Sequence, residues 1–386
     1  MTSLLVIIVL ALLSVALWQL TKIFALTQVG KKVDNTQIAN DKDNNIQGYL
    51  MFGFLAFIYI FTIYGLLTWG RLVLANPSSE HGEVIDSLMD TTWILIFTVQ
   101  AVTQVLLYYY SFKYRGKKEN KALYFADSNK LEVIWSVIPA IVLAVLILYG
   151  LYAWTNIMFV DEKTEDVMIV EIYAKQFGWE ARYSGDDNVL GKANVRYIDG
   201  VNSTGTDLND PYAQDDKTVT SEFHIPKGKK ILFKMRSQDV LHSAYMPHFR
   251  AQMNCVPGMV TQFAYIPTIT TADRRLMPDM LEKVSNINKI RAEKTVELIA
   301  EGKPGLDPYQ FDYLLLCNKI CGASHYNMQM KLVVDTPAEF KEWLASKPTL
   351  VAAFKESKAS ETPSTDAKVS PKPADSMKVV AQLIKK

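Results

Sequence analysis

The chain has 386 residues, a length for roughly two or three domains. Its 41 Lys and Arg against 40 Asp and Glu leave a formal net charge of +1, and no basic stripe with interleaved aromatics occurs, which argues against nucleic acid as a partner. Three cysteines, an odd number with two of them four apart, do not make a disulfide framework.

The average composition, 49% apolar and 21% charged, hides an asymmetry. The N-terminal part holds apolar runs of the ~20-residue length that crosses a bilayer. They are Leu4–Leu20, Tyr49–Trp69, Trp93–Tyr110 and Val133–Trp154. The first lacks a basic n-region and a clear small-residue cleavage site, which favours a retained helix over a cleaved signal peptide. The third carries Gln100 and Gln104, residues that in a membrane helix usually face other protein. Lys113, Arg115, Lys117, Lys118, Lys121 and Lys130 stand against Glu119 and Asp127 in the loop before the fourth run, which makes that side cytoplasmic. The loop before the third run is acidic, with Glu80, Glu83, Asp86 and Asp90, so it and everything after Trp154 are expected outside.

From Val167 the pattern changes. "VMIVEIYAKQFGWEARY", "KKILFKMRS" and "MQMKLVVD" alternate and are rich in β-branched and aromatic residues, with turn signals between them. Short strands at this spacing predict a β-sandwich or barrel. Leu276, Met280, Leu281, Val284, Ile287 and Ile290 fall at helical spacing, so a helical insertion is expected over about 272–302. "TPAEFKEWLA" predicts a short helix at Pro337–Ala345, with Thr336 as cap and Glu339 completing a capping box. The Lys/Ser/Pro-rich stretch 346–386 reads as a disordered tail, its final "MKVVAQLIKK" as a solvated end or a short basic amphipathic helix.

The chemistry concentrates in "CNKICGASHYNM". Cys317 and Cys321 bracket three residues, His325 follows after three more, and Met328 after two more. Thiolate, imidazole and thioether together suit copper better than magnesium, calcium or manganese. Zinc is the rival, because Cys2His2 is a common structural zinc set, although zinc gains little from a thioether. A mononuclear blue-copper site uses one thiolate, whereas two on one tight loop can bridge two metal ions. A further histidine is needed. His242 in "SQDVLHSAYMPHF" follows a short apolar run after a strand, and His248 is its competitor. His81 and His224 lack such company, and Cys255 reads as a small buried residue.

These segments resemble the cytochrome c oxidase subunit II family. "CNKICGASHYNM" resembles its dinuclear copper (CuA) loop, "DVLHSAYMP" with "VPGMVTQF" its upstream histidine segment, and "KLEVIWSVIPAIVL" the start of a transmembrane helix. The likeness runs from about Asp90 to Ala345, apart from the helical insertion. It implies a membrane-anchored all-β fold: transmembrane helices followed by a cupredoxin-like β-sandwich carrying a helical insertion. The domains would be two extra N-terminal helices in 1–72, a helix hairpin in 90–154, the CuA domain in 160–345 and the tail in 346–386. Cys317 and Cys321 would bridge two coppers, His242 and His325 would each bind one, and Met328 and the backbone carbonyl of Lys319 would be the axial ligands. Electrons would arrive from a separate c-type cytochrome, since no Cys-x-x-Cys-His is present to attach a haem. They would leave to the haems of subunit I, where oxygen is reduced with proton pumping. The chain by itself would not reduce oxygen. The expected location is the bacterial inner membrane, multi-pass, with lipid, subunit I and other oxidase subunits as partners. Glu132 stands where the family has the mouth of a proton-uptake channel. By its residues alone it is equally a first-turn glutamate serving the helix dipole, boxed with Asn129.

Several positions depart from the family pattern. Lys319 replaces the usual acidic residue between the cysteines, and Asn254 a common aspartate, which argues against an ordinary magnesium site at the subunit interface. Phe177 replaces the usual tryptophan through which electrons come in, while Trp179 matches a later one, so both are candidates for that role. The extra helices and the insertion offer surface for a respiratory supercomplex. Acidic clusters at Asp186–Asp187 and at Asp207, Asp210, Asp215 and Asp216 would either steer a basic cytochrome or be solvated loops. Competing readings are a copper-free quinol oxidase subunit, a nitrous oxide reductase, and a membrane-anchored copper carrier. The first lacks the ligand set, the second needs a large catalytic domain, and the third predicts an exposed, exchangeable site.

Overall fold

The computed structural model describes residues 2–28, 41–70, 75–121, 123–162 and 165–361. The long apolar runs are helical: α1 (Thr2–Gln28), α2 (Asp41–Trp69), α3 (Glu80–Lys113) and α4 (Asn129–Met158). Among the described residues, α2, α3 and α4 are long and apolar enough to cross a membrane, and α1 is apolar over Ile8–Ile23. Most of their described large apolar side chains are exposed, as a bilayer-solvated surface requires. Gln100 and Gln104 lie on the half-buried face of α3 that also holds Ala101 and Tyr108. That face meets α2, where Tyr59 donates to the Ala101 carbonyl at 2.9 Å and Phe52 packs edge-on to Phe112. The chain divides into two compact units, one of residues 1–74 and 87–147, the other of 75–86 and 148–386.

The second unit is a sandwich of two five-stranded sheets. One runs in the order β3 (Lys217–Val219), β2 (Gly178–Tyr183), β1 (Val167–Lys175), β5 (Lys230–Ser237), β8 (Thr261–Tyr265). The other runs β4 (Glu222–Pro226), β10 (Gln329–Asp335), β9 (Tyr313–Cys317), β6 (His242–Met246), β7 (Ala251–Cys255). Period-two alternation builds the core: Val170, Ile172 and Ala174 of β1 and Phe233 and Met235 of β5 face Leu315, Leu332 and Val334 of the opposite sheet, all buried. Each of these side chains except Ala174 contributes ~1.5–3 kcal/mol when removed from water. The expected cupredoxin-like sandwich on a membrane anchor is therefore the observed fold.

The outer face of the first sheet is polar but also buried. Arg182 on β2 bonds Glu171 of β1 at 2.7 Å and Asp216 at 2.8 Å, and Arg236 of β5 bonds Glu171 as well. Burial pushes the Glu171 carboxyl up, but the two guanidinium groups outweigh it and hold it below the usual range.

The insertion holds α5 (Thr271–Arg275) and α6 (Pro278–Ala300). Met280, Val284 and Ile287 of the expected stripe turn inward, whereas Leu276, Leu281 and Ile290 are exposed. In α7 (Pro337–Ala345) the Thr336–Glu339 capping box forms. One expectation is corrected: the stretch after 345 is not all tail, because Leu350–Glu361 is helix α8. Thr349 caps it, the Leu350 N–H donates to the Asp216 carbonyl at 2.7 Å, and Leu350 and Val351 are buried. A Pro-Thr start followed by two apolar residues sufficed to dock this segment, and averaged composition hid it. The rest of the tail, 362–386, lies outside the described residues.

Candidate metal centre

Strand pairing brings the sulfur and imidazole residues together. β6 pairs with β9 with Ala244 opposite Cys317, which sets His242, the first residue of β6, beside the end of β9. β9 and β10 form an antiparallel pair, and the segment between them is the cysteine loop. It is closed by Cys317 N–H donating to the Met328 carbonyl at 3.1 Å and anchored by Asn318 N–H on the Ser243 carbonyl at 3.0 Å. A short turn of helix at His325–Asn327 aims His325 back at Cys321.

Six donors converge. Cys317 Sγ lies 3.8 Å from His242 Nδ1, 3.8 Å from Cys321 Sγ and 3.2 Å from the Lys319 carbonyl oxygen. Cys321 Sγ lies 3.6 Å from His325 Nδ1 and 3.7 Å from Met328 Sδ. The sulfurs are too far apart for a disulfide bond, which is ~2.05 Å. The donor atoms of His242, Cys317 and Cys321 all fall within 4.8 Å of one another. His242, Cys321 and Met328 are buried, and Cys317 and His325 are half-buried. Burial, and then the neighbouring Cys317, pushes the Cys321 thiol up to about 11. Such a pocket disfavours a bare thiolate and favours one neutralised by a cation.

Polar and aromatic neighbours fix the donors. Asp239 Oδ1 lies 2.8 Å from His242 Nε2, and the same carboxylate accepts the N–H groups of Gln176 and Val240, both at 2.7 Å. Burial pushes the Asp239 carboxyl up, but these donors outweigh it and hold it below the usual range. Gln176 also donates its side-chain amide to the Cys321 carbonyl. Neither residue stood out in the sequence; the Asp-x-x-His spacing was the available signal. Trp179 is buried, its ring edge-on to His242 at 6.2 Å, its Nε1–H toward the Met328 carbonyl at 3.5 Å. Phe177 is 40% exposed and packs on the loop at Gly322, where a Cβ would meet its ring at 2.8 Å and φ is +139°. Ile320 and Tyr326, 86% and 89% exposed, project from the same loop, with exposed Val240 and Leu241 next to Asp239.

The competing histidines are occupied elsewhere. His248 follows the far end of β6, packed on Phe311 and Tyr313 at 5.0 and 5.5 Å. His224 stacks on Trp343 at 4.0 Å and bonds Asp335 at 2.5 Å. Cys255 is buried opposite His242, and burial pushes its thiol up to about 12. Lys319 and Asn254 have exposed side chains. Glu132 is exposed in the first turn of α4, but the expected box with Asn129 is not formed: the hydroxyl of Ser128 accepts from Leu131 N–H at 3.4 Å. Asn129 is already inside the helix. The acidic clusters bind their own loops: Asp215 accepts the Asp186 N–H at 2.7 Å, Asp210 the Lys192 N–H at 2.9 Å, and Asp216 is the buried partner of Arg182.

The family model described as cytochrome c oxidase subunit II, transmembrane domain, matches residues 67–152. The alternative cytochrome c oxidase subunit 2 of Bradyrhizobium diazoefficiens is 32% identical over 273 residues, covering 70% of this chain and 83% of that protein. A cytochrome c oxidase subunit 2 of Thermostichus vulcanus is 21% identical over 310 residues, covering 73% and 80%. Among solved structures, the periplasmic domain of subunit II of cytochrome oxidase of Bradyrhizobium japonicum is similar at 16% identity and a TM-score of 0.27, over 49% of this chain and 94% of that one.

Proposed function

The chain belongs to the cytochrome c oxidase subunit II family, and we propose that it is the subunit through which electrons reach the haems of its oxidase. His242, Cys317, Cys321, His325, Met328 and the Lys319 carbonyl would hold a dinuclear copper centre. The observation that carries this reading is the donor count. Six donors exceed the four of a tetrahedral structural zinc site and would suffice for two ions, with an imidazole available to each. Bound there, the copper pair would supply a one-electron carrier with its charge spread over both ions.

The protein's part is to hold these donors still. The paired strands, the bond from Cys317 N–H to the Met328 carbonyl and the Asp239 bond to His242 keep them in place between redox states. The burial of His242, Cys321 and Met328 favours a fixed relay over a carrier that must release its metal. The donor is a c-type cytochrome that docks on the exposed apolar collar of Ile320, Tyr326, Phe177, Val240 and Leu241. Phe177 is the outer contact for incoming electrons, and Trp179, against His242, is an inner one. The chain sits in the bacterial inner membrane with the sandwich on the periplasmic side, delivering electrons to subunit I for oxygen reduction coupled to proton pumping. Glu132 is the candidate for proton uptake. No magnesium ion is assigned.

The test is stopped-flow reduction of the assembled oxidase. His325→Ala should abolish rapid haem reduction by a c-type cytochrome and leave slow reduction by a small chemical donor. Unchanged haem reduction by the cytochrome would contradict the proposal.

A further inference from the structure

A cavity of about 380 Å³ lies in the second unit, lined by the start of α3, the last turns of α4 and the edge strand β8. Nothing in the electron relay uses it. Its wall is largely apolar and aromatic, with Tyr149, Tyr152, Ile157 and Tyr265. His81 closes one side, its ring on Phe263 at 5.4 Å. Both its ring nitrogens are buried and lack a well-formed hydrogen bond, with the Arg250 backbone close enough to engage one of them. An imidazole always carries at least one N–H, and leaving it unpaired in a protein interior costs ~1–3 kcal/mol. A partner in the cavity would remove that cost.

Position and charge narrow the partner's chemistry. The α4 lining residues, Tyr149 to Ile157, bracket Trp154, where the apolar run of that helix ends. Tyrosines at such ends lie at the depth of lipid headgroups. The lining brings together opposite charges: exposed Glu80, and half-buried Lys230, which also pairs with Glu165. The volume takes a headgroup with its glycerol and leaves acyl chains to run along exposed Leu148 and Leu151 of α4.

We propose that this cavity is a phospholipid site for a zwitterionic phosphoethanolamine headgroup, with the ammonium on Glu80 and the phosphate or ester oxygens on His81, Asn156 and Lys230. The full chain, purified in detergent and stripped of lipid, is titrated with phosphatidylethanolamine, phosphatidylglycerol and an isoprenoid quinone, and retained ligand is counted by native mass spectrometry. Wild type should retain one phosphatidylethanolamine. His81→Phe keeps the ring packing but should weaken retention about tenfold, the worth of one hydrogen bond. Ala153→Leu, which fills the cavity from α4, should abolish it. Glu80→Gln, at an exposed position that leaves the fold intact, should erase the preference over phosphatidylglycerol. Equal retention of both lipids by wild type and all variants would mean annular lipid only, and retention of quinone in place of lipid would assign another occupant; either overturns the proposal.

Discussion

Asp239 accepts the Nε2–H of His242 at 2.8 Å, which leaves the Nδ1 lone pair facing Cys317 Sγ 3.8 Å away. One carboxylate thus sets the tautomer of a candidate metal ligand and, through the Gln176 N–H, ties it to the β1–β2 turn beside the cysteine loop. Asp239→Ala should lower copper affinity about 10–100-fold and shift the reduction potential, whereas Asp239→Asn, which still accepts from Nε2–H, should do less. Competition titration and redox titration of the full chain would read both effects. Equal behaviour of the two variants would remove the tautomer argument.

Met328 and Cys321 predict different losses. Met328→Leu preserves the bulk of a buried thioether, so copper should stay bound with a changed potential. Cys321→Ser removes a sulfur that the proposed copper pair would share, so the copper content should fall from two per chain to one or none. Metal analysis with optical spectra would separate them.

Copper loading should depend on pH. Burial and the adjacent Cys317 push the Cys321 thiol up to about 11, so near neutral pH it binds as a thiol that must lose its proton. Each proton released raises the apparent affinity about tenfold per pH unit. Titration in weak buffer should register proton release on copper addition, and a pH-independent affinity would contradict it.

His248 should mark the acid limb of stability. Burial, and then Arg274, Lys283 and Arg250, push it down from 6.5 to about 4. The unfolded chain therefore takes up a proton below pH 6.5 that the folded chain refuses until about 4. Stability from this group is full above pH 6.5 and is lost as pH falls through that window, by up to about 3 kcal/mol. Denaturant unfolding of His248→Leu against wild type should show wild type losing stability relative to the variant from pH 7 to pH 4.

Removing Arg182 would strand Glu171 and Asp216 as buried carboxylates. Arg182→Met should cost about 3–5 kcal/mol by denaturant unfolding, because charges lose a partner where water cannot replace it.

The ligand loop was legible because its chemistry is local: two cysteines, a histidine and a methionine within twelve residues of one hairpin. His242 was harder, since only the pairing of β6 with β9 separates it from His248, which lies just beyond the other end of that strand. Asp239 and Gln176 were invisible for the same reason, their roles existing only once β1, β6 and the loop meet. Ser128 outcompeted Asn129 as a cap by one residue, within the usual uncertainty of helix ends. α8 escaped because its docking depends on Asp216, far away in sequence.

The most direct measurement is metal content with electron paramagnetic resonance on the full chain reconstituted with copper. Two coppers per chain sharing one unpaired electron equally would bear out the dinuclear relay. One copper, zinc, or no tightly held metal would contradict it and leave a mononuclear copper, structural zinc or metal-free subunit in its place.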